Sequence, residues 1–390
     1  MLPASTRARV RLAMVVCAVL AVGWLVWSSR AALYPFILGV ILVFVLAPIV
    51  DRVVKILPFR RSHPDLALGL SVVWVYAVFI LILVVVGIQL APRIGAQGSQ
   101  LADNVPSLIQ TARQTFETSQ DWYRERVPEN IQRQIDVRTQ DLGNRASDFG
   151  VSLIERTIAV ITGGVANLIA YIVVPFWIFF VLKDREKGAQ WFYGMFPPAI
   201  RDDVRVVLHQ ANRVLGSYIR AQLLLSTVSG VVAGVGLWLM GIKFSLILGV
   251  IAGIANMIPV LGPMIGGVPA IIVTAATRPG WTVLWVFLFL FVSQNMKDYI
   301  LVPRIQGNAV NIHPAIILVL LVIAGHLAGF WGLLLAVPVA AVIRDIYVYI
   351  YRRLEDIPPD EAVKTSEPAH LRDEVSMPPP AVPRPRSRAR

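Results

Sequence analysis

Cysteine is almost absent from this chain. The single one, Cys17, lies inside an apolar run, so no disulfide forms within the chain and no cysteine-based metal site exists. Free cysteine behaves as a small apolar side chain, and Cys17 is read as one, facing lipid. Charge is scarce as well. Asp, Glu, Lys and Arg make up 15% of the residues, where soluble globular chains carry about 25%. The five histidines (His63, His209, His313, His326 and His370) are scattered and offer no ligand cluster. There is no HExxH, no GxSxG, no Walker A sequence and no GxGxxG in a Rossmann setting. No enzymatic activity, metal or cofactor is therefore expected. Without a nucleotide site, any transport has to run on an ion gradient or be passive.

What the chain has in abundance is apolar sequence: 56% of its 390 residues are hydrophobic and the mean hydropathy is +0.66. The net charge of +12 invites a nucleic-acid reading. Its distribution argues against one, because the Lys and Arg residues sit mostly in short stretches beside apolar runs, where they set topology and touch anionic lipid. The expected partner is the bilayer, with no nucleic acid. A spanning helix needs about 20 apolar residues, and by that measure there are about eight candidate spans. They lie near 10–28, 31–50, 66–90, 157–182, 218–240, 244–274, 281–303 and 311–343. Arg7, Arg9 and Arg11 precede the first run as in a signal peptide. No small-residue cleavage site comes after it, so it is read as a retained helix. The sixth and eighth runs are too long for one simple span and contain Gly and Pro, which marks them as broken, tilted or re-entrant. The fold class is all-α, a polytopic transmembrane helical bundle with a soluble helical insert.

The expected organisation is three N-terminal helices over 1–90, an insert over 91–156, a fourth helix over 157–182 and an amphipathic cytoplasmic linker over 183–217. A C-terminal membrane core over 218–345 and a disordered Pro/Arg-rich tail over 346–390 complete the chain. In the insert, Leu101, Val105, Leu108, Ala112 and Phe116 recur at helical spacing, and Pro128 splits it into two halves. That pattern reads as a solvated helical domain with one sticky face, or as a partner surface. The bias of Lys and Arg places both termini in the cytoplasm.

The second half carries the unusual chemistry. Residues 250–269 read VIAGIANMIPVLGPMIGGVP. Pro259, Pro263 and Pro269 each lack a backbone N–H, Gly262, Gly266 and Gly267 permit close backbone approach, and Asn256 is polar. In lipid a broken backbone survives only where protein buries it or where it lines a wet cavity, and transporters bind solutes and ions at such breaks. The pairs Gly230/Gly234, Gly262/Gly266 and Gly325/Gly329 have GxxxG spacing and read as tight helix packing, within or between subunits.

Residues 291–307, FVSQNMKDYILVPRIQG, put Gln294, Lys297 and Asp298 on one helical face inside an apolar run. Lys297 and Asp298 are adjacent, about 100° apart around a helix, and need not pair with each other. Ionised groups in a membrane face the bundle interior or water and find partners. Asp298 is thus a candidate proton or cation site with Lys297 as its counter-charge, and Asn256 and Arg304 belong to the same pathway. The plainer alternative is an interfacial position with Lys297 snorkelling. His326 is mid-span and reads as a proton relay or as one end of an interhelical hydrogen bond. The polar face is expected to line a passage, with the broken 256–267 element beside it.

Three stretches in order, NMIPVLGPMIGG, QNMKDYILVPRIQGNAVNIHP and GHLAGFWGLLLAVPVAAV, resemble the autoinducer-2 exporter-like family of bacterial membrane proteins, also called PerM-type permeases. PFILGVILVFVLAPIVDRV resembles the family's second span, and VPFWIFFVLKDREKG its Pro-plus-aromatic run with an acid, here Asp184. The resemblance implies about eight membrane segments and secondary transport in the bacterial inner membrane. It further implies export of a small polar signal or related metabolite, sodium or lithium exchange for protons in some members, and a homo-oligomer. By position it assigns Pro259, Gly262, Pro263, Gln294, Pro303, Gly307, His313 and Pro314 to the pathway. One departure stands out. Where many members have an acid followed by a small or polar residue, this chain has Lys297 and then Asp298. The functional expectations are a solute exporter, a cation/proton antiporter working through Asp298, or a scaffold working through the 91–156 insert.

Overall fold

The computed structural model describes residues 21, 23–25, 28–119, 168–278, 280–306 and 313–355. These residues are helices joined by short turns, with no strand among them. The elements are α1 (Arg30–Ile56), α2 (Pro64–Ser119), α3 (Leu168–Gly194), α4 (Pro198–Leu239), α5 (Ser245–Ala255), α6 (Gly262–Thr277) and α7 (Trp281–Met296). A π-helical turn (Lys297–Leu301), α8 (Val302–Gln306) and α9 (Pro314–Arg353) come next. Among the described residues four helical stretches are long and apolar enough to cross a membrane: Pro35–Ile56, Pro64–Leu108, Ile200–Leu239 and Ala315–Arg353. Leu81 to Val86 on α2 all stand about half exposed, 45–61%. Water does not tolerate so long an apolar flank, whereas lipid does. Most of the expected first span, most of the 91–156 insert, the start of the fourth span and the tail beyond Glu355 lie outside the described residues.

Helices α1, α2 and α3 form one bundle around Leu46, Val50, Val72, Val75, Val174, Ile178 and Leu182. Gly39 lets Trp177 of α3 close on α1: a Cβ there would meet the indole at 2.9 Å. At one end of this bundle the guanidinium of Arg185 grips both carboxylate oxygens of Asp51, with Nη1 3.1 Å from Oδ2. Helix α2 does not stop where its apolar run ends. It continues through the 90/91 boundary, and the 217/218 boundary likewise falls inside α4. Leu101 and Val105, the start of the periodic face in the insert, are buried in a core with Leu237, Ile247, Leu248, Ile251 and Val273. The Gln97 side chain also accepts a hydrogen bond from the Ile247 backbone N–H at 3.2 Å.

The C-terminal half is built on close backbone contact. Gly230 and Gly234 of α4 face Gly249 and Gly253 of α5. A Cβ on Gly249 would lie 2.6 Å from Gly234 Cα, and one on Gly230 would lie 2.9 Å from Gly249 O. Helix α5 is only 11 residues long, ~16 Å, and then the chain turns back. Gly262 lies against Ala255 and Asn256, and Gly266 against Ala252, so α6 runs antiparallel to α5 as the second arm of a hairpin. The long sixth run is therefore broken at Asn256–Leu261.

Helix α9 is broken too. Gly329 has φ 58° and ψ −135°, outside any helix. Beyond it Gly332 closes on the Ala324 carbonyl and Leu333 covers Gly325. Leu321 and Ala336 share one buried cluster with Ile258; on a straight helix they would be ~22 Å apart. The chain doubles back, giving a second hairpin whose turn packs on the tip of the first. The two hairpins share a sequence signal. Val250–Gly253 and Val322–Gly325 both read VIAG, and in each case the alanine, Ala252 or Ala324, meets a glycine of the returning arm. Polar pairs tie the start of α4 to the end of α9: Tyr349 donates to Asp203 Oδ1 at 2.6 Å, Arg353 Nε to the same oxygen at 2.8 Å, and Gln210 to Asp345 at 3.3 Å.

Candidate functional site

The first hairpin tip is shaped by its prolines and glycines. Helix α5 ends at Ala255, and Pro259 keeps the helix from resuming before the turn. The Leu261 N–H bonds back to the Pro259 carbonyl at 2.7 Å, and the Gly262 N–H to Ile258 at 3.0 Å. Val260 between them sits at φ +66°, a strained position for a β-branched residue. A Cβ on Gly262 would lie 2.5 Å from the Ala255 carbonyl, so the turn closes only around glycine.

This turn presents Asn256, which is 8% exposed and fully engaged. Its amide N donates to the Ala252 carbonyl at 2.8 Å, its backbone carbonyl accepts from Gln222 of α4 at 2.7 Å, and its Oδ1 accepts from Lys297 Nζ at 2.6 Å. Gln222 in turn accepts from Gln306 of α8 at 2.9 Å. A chain of amides thus crosses from α8 through α4 to the hairpin tip and ends on an ammonium.

Lys297 opens the π turn, where one extra residue per turn re-aims the side chains beyond it. Its side chain is 12% exposed, whereas that of Asp298 is 51% exposed. The two charges, which the sequence left free to find other partners, approach to 3.6 Å. Gln294 holds Asp298 from the other side, donating to Oδ2 at 3.0 Å. A charge in low dielectric is costly unless hydrogen-bonded, and Asn256 and Asp298 supply partners here.

A cavity of about 230 Å³ lies between the hairpin, α4 and the α7–π segment. Asn256, Pro263, Gly266 and Gly267 form one wall, Ser293, Gln294 and Lys297 the other, and Val228, Ser229 and Val232 of α4 the third. The structure thus gathers Asn256, Pro263, Gly266, Gln294 and Lys297 around one space and sets Asp298 at its edge. Pro259 and Gly262 shape the turn. Pro303 and Arg304 are exposed on α8, away from the cavity wall. His313 caps α9, its Nδ1 accepting from the Ala315 N–H at 3.2 Å, and Pro314 opens the helix. His326 is exposed near the second reversal and does not line the cavity. Gly230 and Gly234 form the α4–α5 seam, Gly325 and Gly329 belong to the second hairpin, and Gly307 lies outside the described residues. Gln222, Gln306 and Ser293 are absent from the residues assigned from sequence. Gln222 was legible as an amide within the apolar run 218–240. Among the described residues no group of three His, Cys, Asp or Glu side chains could hold a metal ion.

A broken hairpin, an ammonium held on its tip and a cavity between them suit solute passage better than bond-breaking. The family model for AI-2E family transporters matches residues 12–352. The chain belongs to the AI-2E transporter family. Relatives include YrrI of Bacillus subtilis, 32% identical over 67% of this chain and 72% of that protein, and YueF of the same organism, 29% identical over 83% and 85%. PerM of Escherichia coli is 27% identical over 79% of this chain and 88% of its own. YrrI and YueF carry provisional names as transport proteins, and PerM a provisional name as a permease. This AI-2E family member is accordingly a multi-pass membrane protein of a transporter family, and its cavity is the place to look for the transported species.

Proposed function

We propose that this AI-2E family protein is a secondary active transporter that exports a small polar solute across the bacterial inner membrane, through the cavity closed by Lys297 and Asn256. The observation that carries the reading is the 2.6 Å bond between those two side chains. It is a polar tie between the π turn and the hairpin tip across the cavity, one that a passing solute can break and remake. Such a contact is suited to a gate, because the segments on its two sides, the Asn256–Leu261 turn and the π turn, hold backbone outside regular α-helix. The chain carries no nucleotide motif, and the drive assigned here is an ion gradient. The family's name makes autoinducer-2 the first solute to try. Cytoplasmic termini and a homo-oligomeric assembly belong to the same reading.

Sodium or lithium exchange for protons at Asp298 is the competing reading. It is weaker here because the Lys297 ammonium is 3.6 Å from the carboxylate that a cation would have to bind. One comparison separates the two. Inside-out vesicles containing the protein are expected to accumulate autoinducer-2 under an imposed ion gradient, above vesicles that lack it. Proteoliposomes holding a pH-sensitive dye are expected to show no sodium-triggered proton movement that Asp298→Asn abolishes. Sodium-dependent proton flux lost in that variant, with no solute uptake by the wild type, favours the antiporter.

A further inference from the structure

The cavity wall also indicates what kind of solute fits, an inference that rests on reading this cavity as the solute passage. Its polar groups are few and most are already committed. Asn256 uses its amide N, its side-chain oxygen and its backbone carbonyl within the protein. Ser293 donates to the Phe289 carbonyl, and the amide N of Gln294 is spent on Asp298. An ammonium has three donors. Those of Lys297 reach Asn256 at 2.6 Å and Asp298 at 3.6 Å, so one is left. The Ser229 hydroxyl adds one more polar group to the wall. The rest of the lining is apolar, with Val228, Val232, Leu290 and Leu301 among it.

Two classes of solute fit this wall poorly. A neutral polyol would lose its water hydrogen bonds against a mostly apolar lining and find few uncommitted groups to replace them, a desolvation cost incurred at each unpaired hydroxyl. A cation would meet an ammonium, with no acidic residue among the lining side chains, since Asp298 stands at the edge and faces outward at 51% exposure. We propose that the site takes a small organic monoanion, whose charged oxygens meet Lys297 and Ser229 while an apolar body lies against the hairpin and α4. The carboxylate of Asp298, 3.6 Å from Lys297, shows the kind of group this ammonium accepts as a neighbour. Size sets the limit. An apolar cavity of about 150 Å³ holds benzene, so about 230 Å³ holds a molecule of roughly nine or ten heavy atoms. Lys297 stands where the family resemblance leads one to expect an acid, so the preference is assigned to this chain and not to its relatives.

Benzoate, benzamide and benzamidinium test this directly. They share a shape and a size within the limit and differ in charge. Binding of each to the full-length protein in detergent at neutral pH, measured by calorimetry, should favour benzoate over benzamide by about tenfold or more, as a charge-assisted hydrogen bond does, with benzamidinium weakest. Lys297→Met, similar in length and apolar, should abolish that preference while the protein stays monodisperse and melts cooperatively. Lys297→Arg, which keeps the charge, should retain it if Lys297→Met proves unfolded. Equal binding of benzoate and benzamide, preference for benzamidinium, a preference that survives Lys297→Met, or no binding of any probe to folded wild type each overturns the proposal. Vesicle uptake of autoinducer-2 is read separately. Uptake that persists without an anion preference removes only the anion assignment, whereas absent uptake of both autoinducer-2 and benzoate removes the transporter reading itself.

Discussion

At the residue scale, the site depends on amides that tie Asn256 of the hairpin tip to its neighbours. Gln222 is the hinge of that arrangement, because it serves Asn256 and Gln306 at once. Gln222→Ala deletes both bonds and leaves the Asn256 carbonyl with a lost partner. The expected cost is about 1 kcal/mol, the scale of hydrogen bonds within membranes. The expected result is a melting temperature lower by about 2–4 °C and slower solute uptake, read by thermal denaturation and vesicle flux on the same preparation. An unchanged melting point with unchanged flux would show that the amide chain is ornamental. Asn256, Gln294, Lys297 and Asp298 are legible in the sequence because polar groups inside apolar runs are costly and have to be explained. Gln222 is harder to read because it comes just after Arg220 at the head of a run, where polarity looks like an interface. The pairing of Lys297 with Asp298 stays open in the sequence because an ideal helix separates adjacent side chains by about 100°. The π turn that begins at Lys297 changes that geometry.

At the element scale, the packing of α4 on α5 and the return of α6 depend on missing side chains. Gly249→Val would drive new atoms into the Gly234 Cα and the Gly230 carbonyl, both backbone, and backbone cannot swing aside. Overpacking of this kind costs about 1–3 kcal/mol. Gly249→Val should therefore reduce folded yield and melting temperature, measured beside Gly267→Ala, whose Cβ meets nothing within 4 Å and should melt like wild type. Equal melting of the two would contradict the backbone contact. Prolines and glycines announce the break at 256–261 because each removes a helical hydrogen bond or its restraint. Gly230/Gly234 announces a tight seam, and Gly249/Gly253 has the same GxxxG spacing, but spacing alone does not say that the two pairs face each other. The reversal at Gly329 is harder to see. The Gly and Pro content marks the run as irregular, but no proline sits at the reversal itself, and Gly325, Gly329 and Gly332 read equally well as packing glycines of a tilted helix. The repeated VIAG before both reversals is the available signal, and it becomes meaningful only once Ala252 and Ala324 are seen meeting glycines of the returning arms.

At the scale of the whole molecule, apolar run length indicates the right class and is a poor guide to how the runs are used. Four described stretches are long enough to cross, while α5 and α6 are short arms and α9 turns back on itself. Hydropathy counts apolar residues and is blind to direction, so a hairpin and a straight span score alike. The periodic face of the insert shows the same limit. Leu101 and Val105 look like a docking surface in the sequence, and the molecule's own C-terminal core covers them. Helix α2 therefore links the N-terminal bundle to the wall that supports the hairpin. The result is a mostly apolar cavity carrying a few polar groups, backed by apolar cores, in a family of transporters.

The measurement that bears most directly on the account is solute uptake after the cavity is filled. Gly267 lines the cavity and has open space where a side chain would begin, so Gly267→Leu occupies the passage without a clash at Cβ. Inside-out vesicles carrying wild type or Gly267→Leu at equal folded amounts would be offered autoinducer-2 and benzoate in turn. The account predicts that uptake of whichever solute the wild type carries falls at least about tenfold, equivalent to 1.4 kcal/mol, in Gly267→Leu, while its melting temperature stays near that of wild type. Undiminished uptake by a folded Gly267→Leu protein would contradict it and place the passage elsewhere in the molecule.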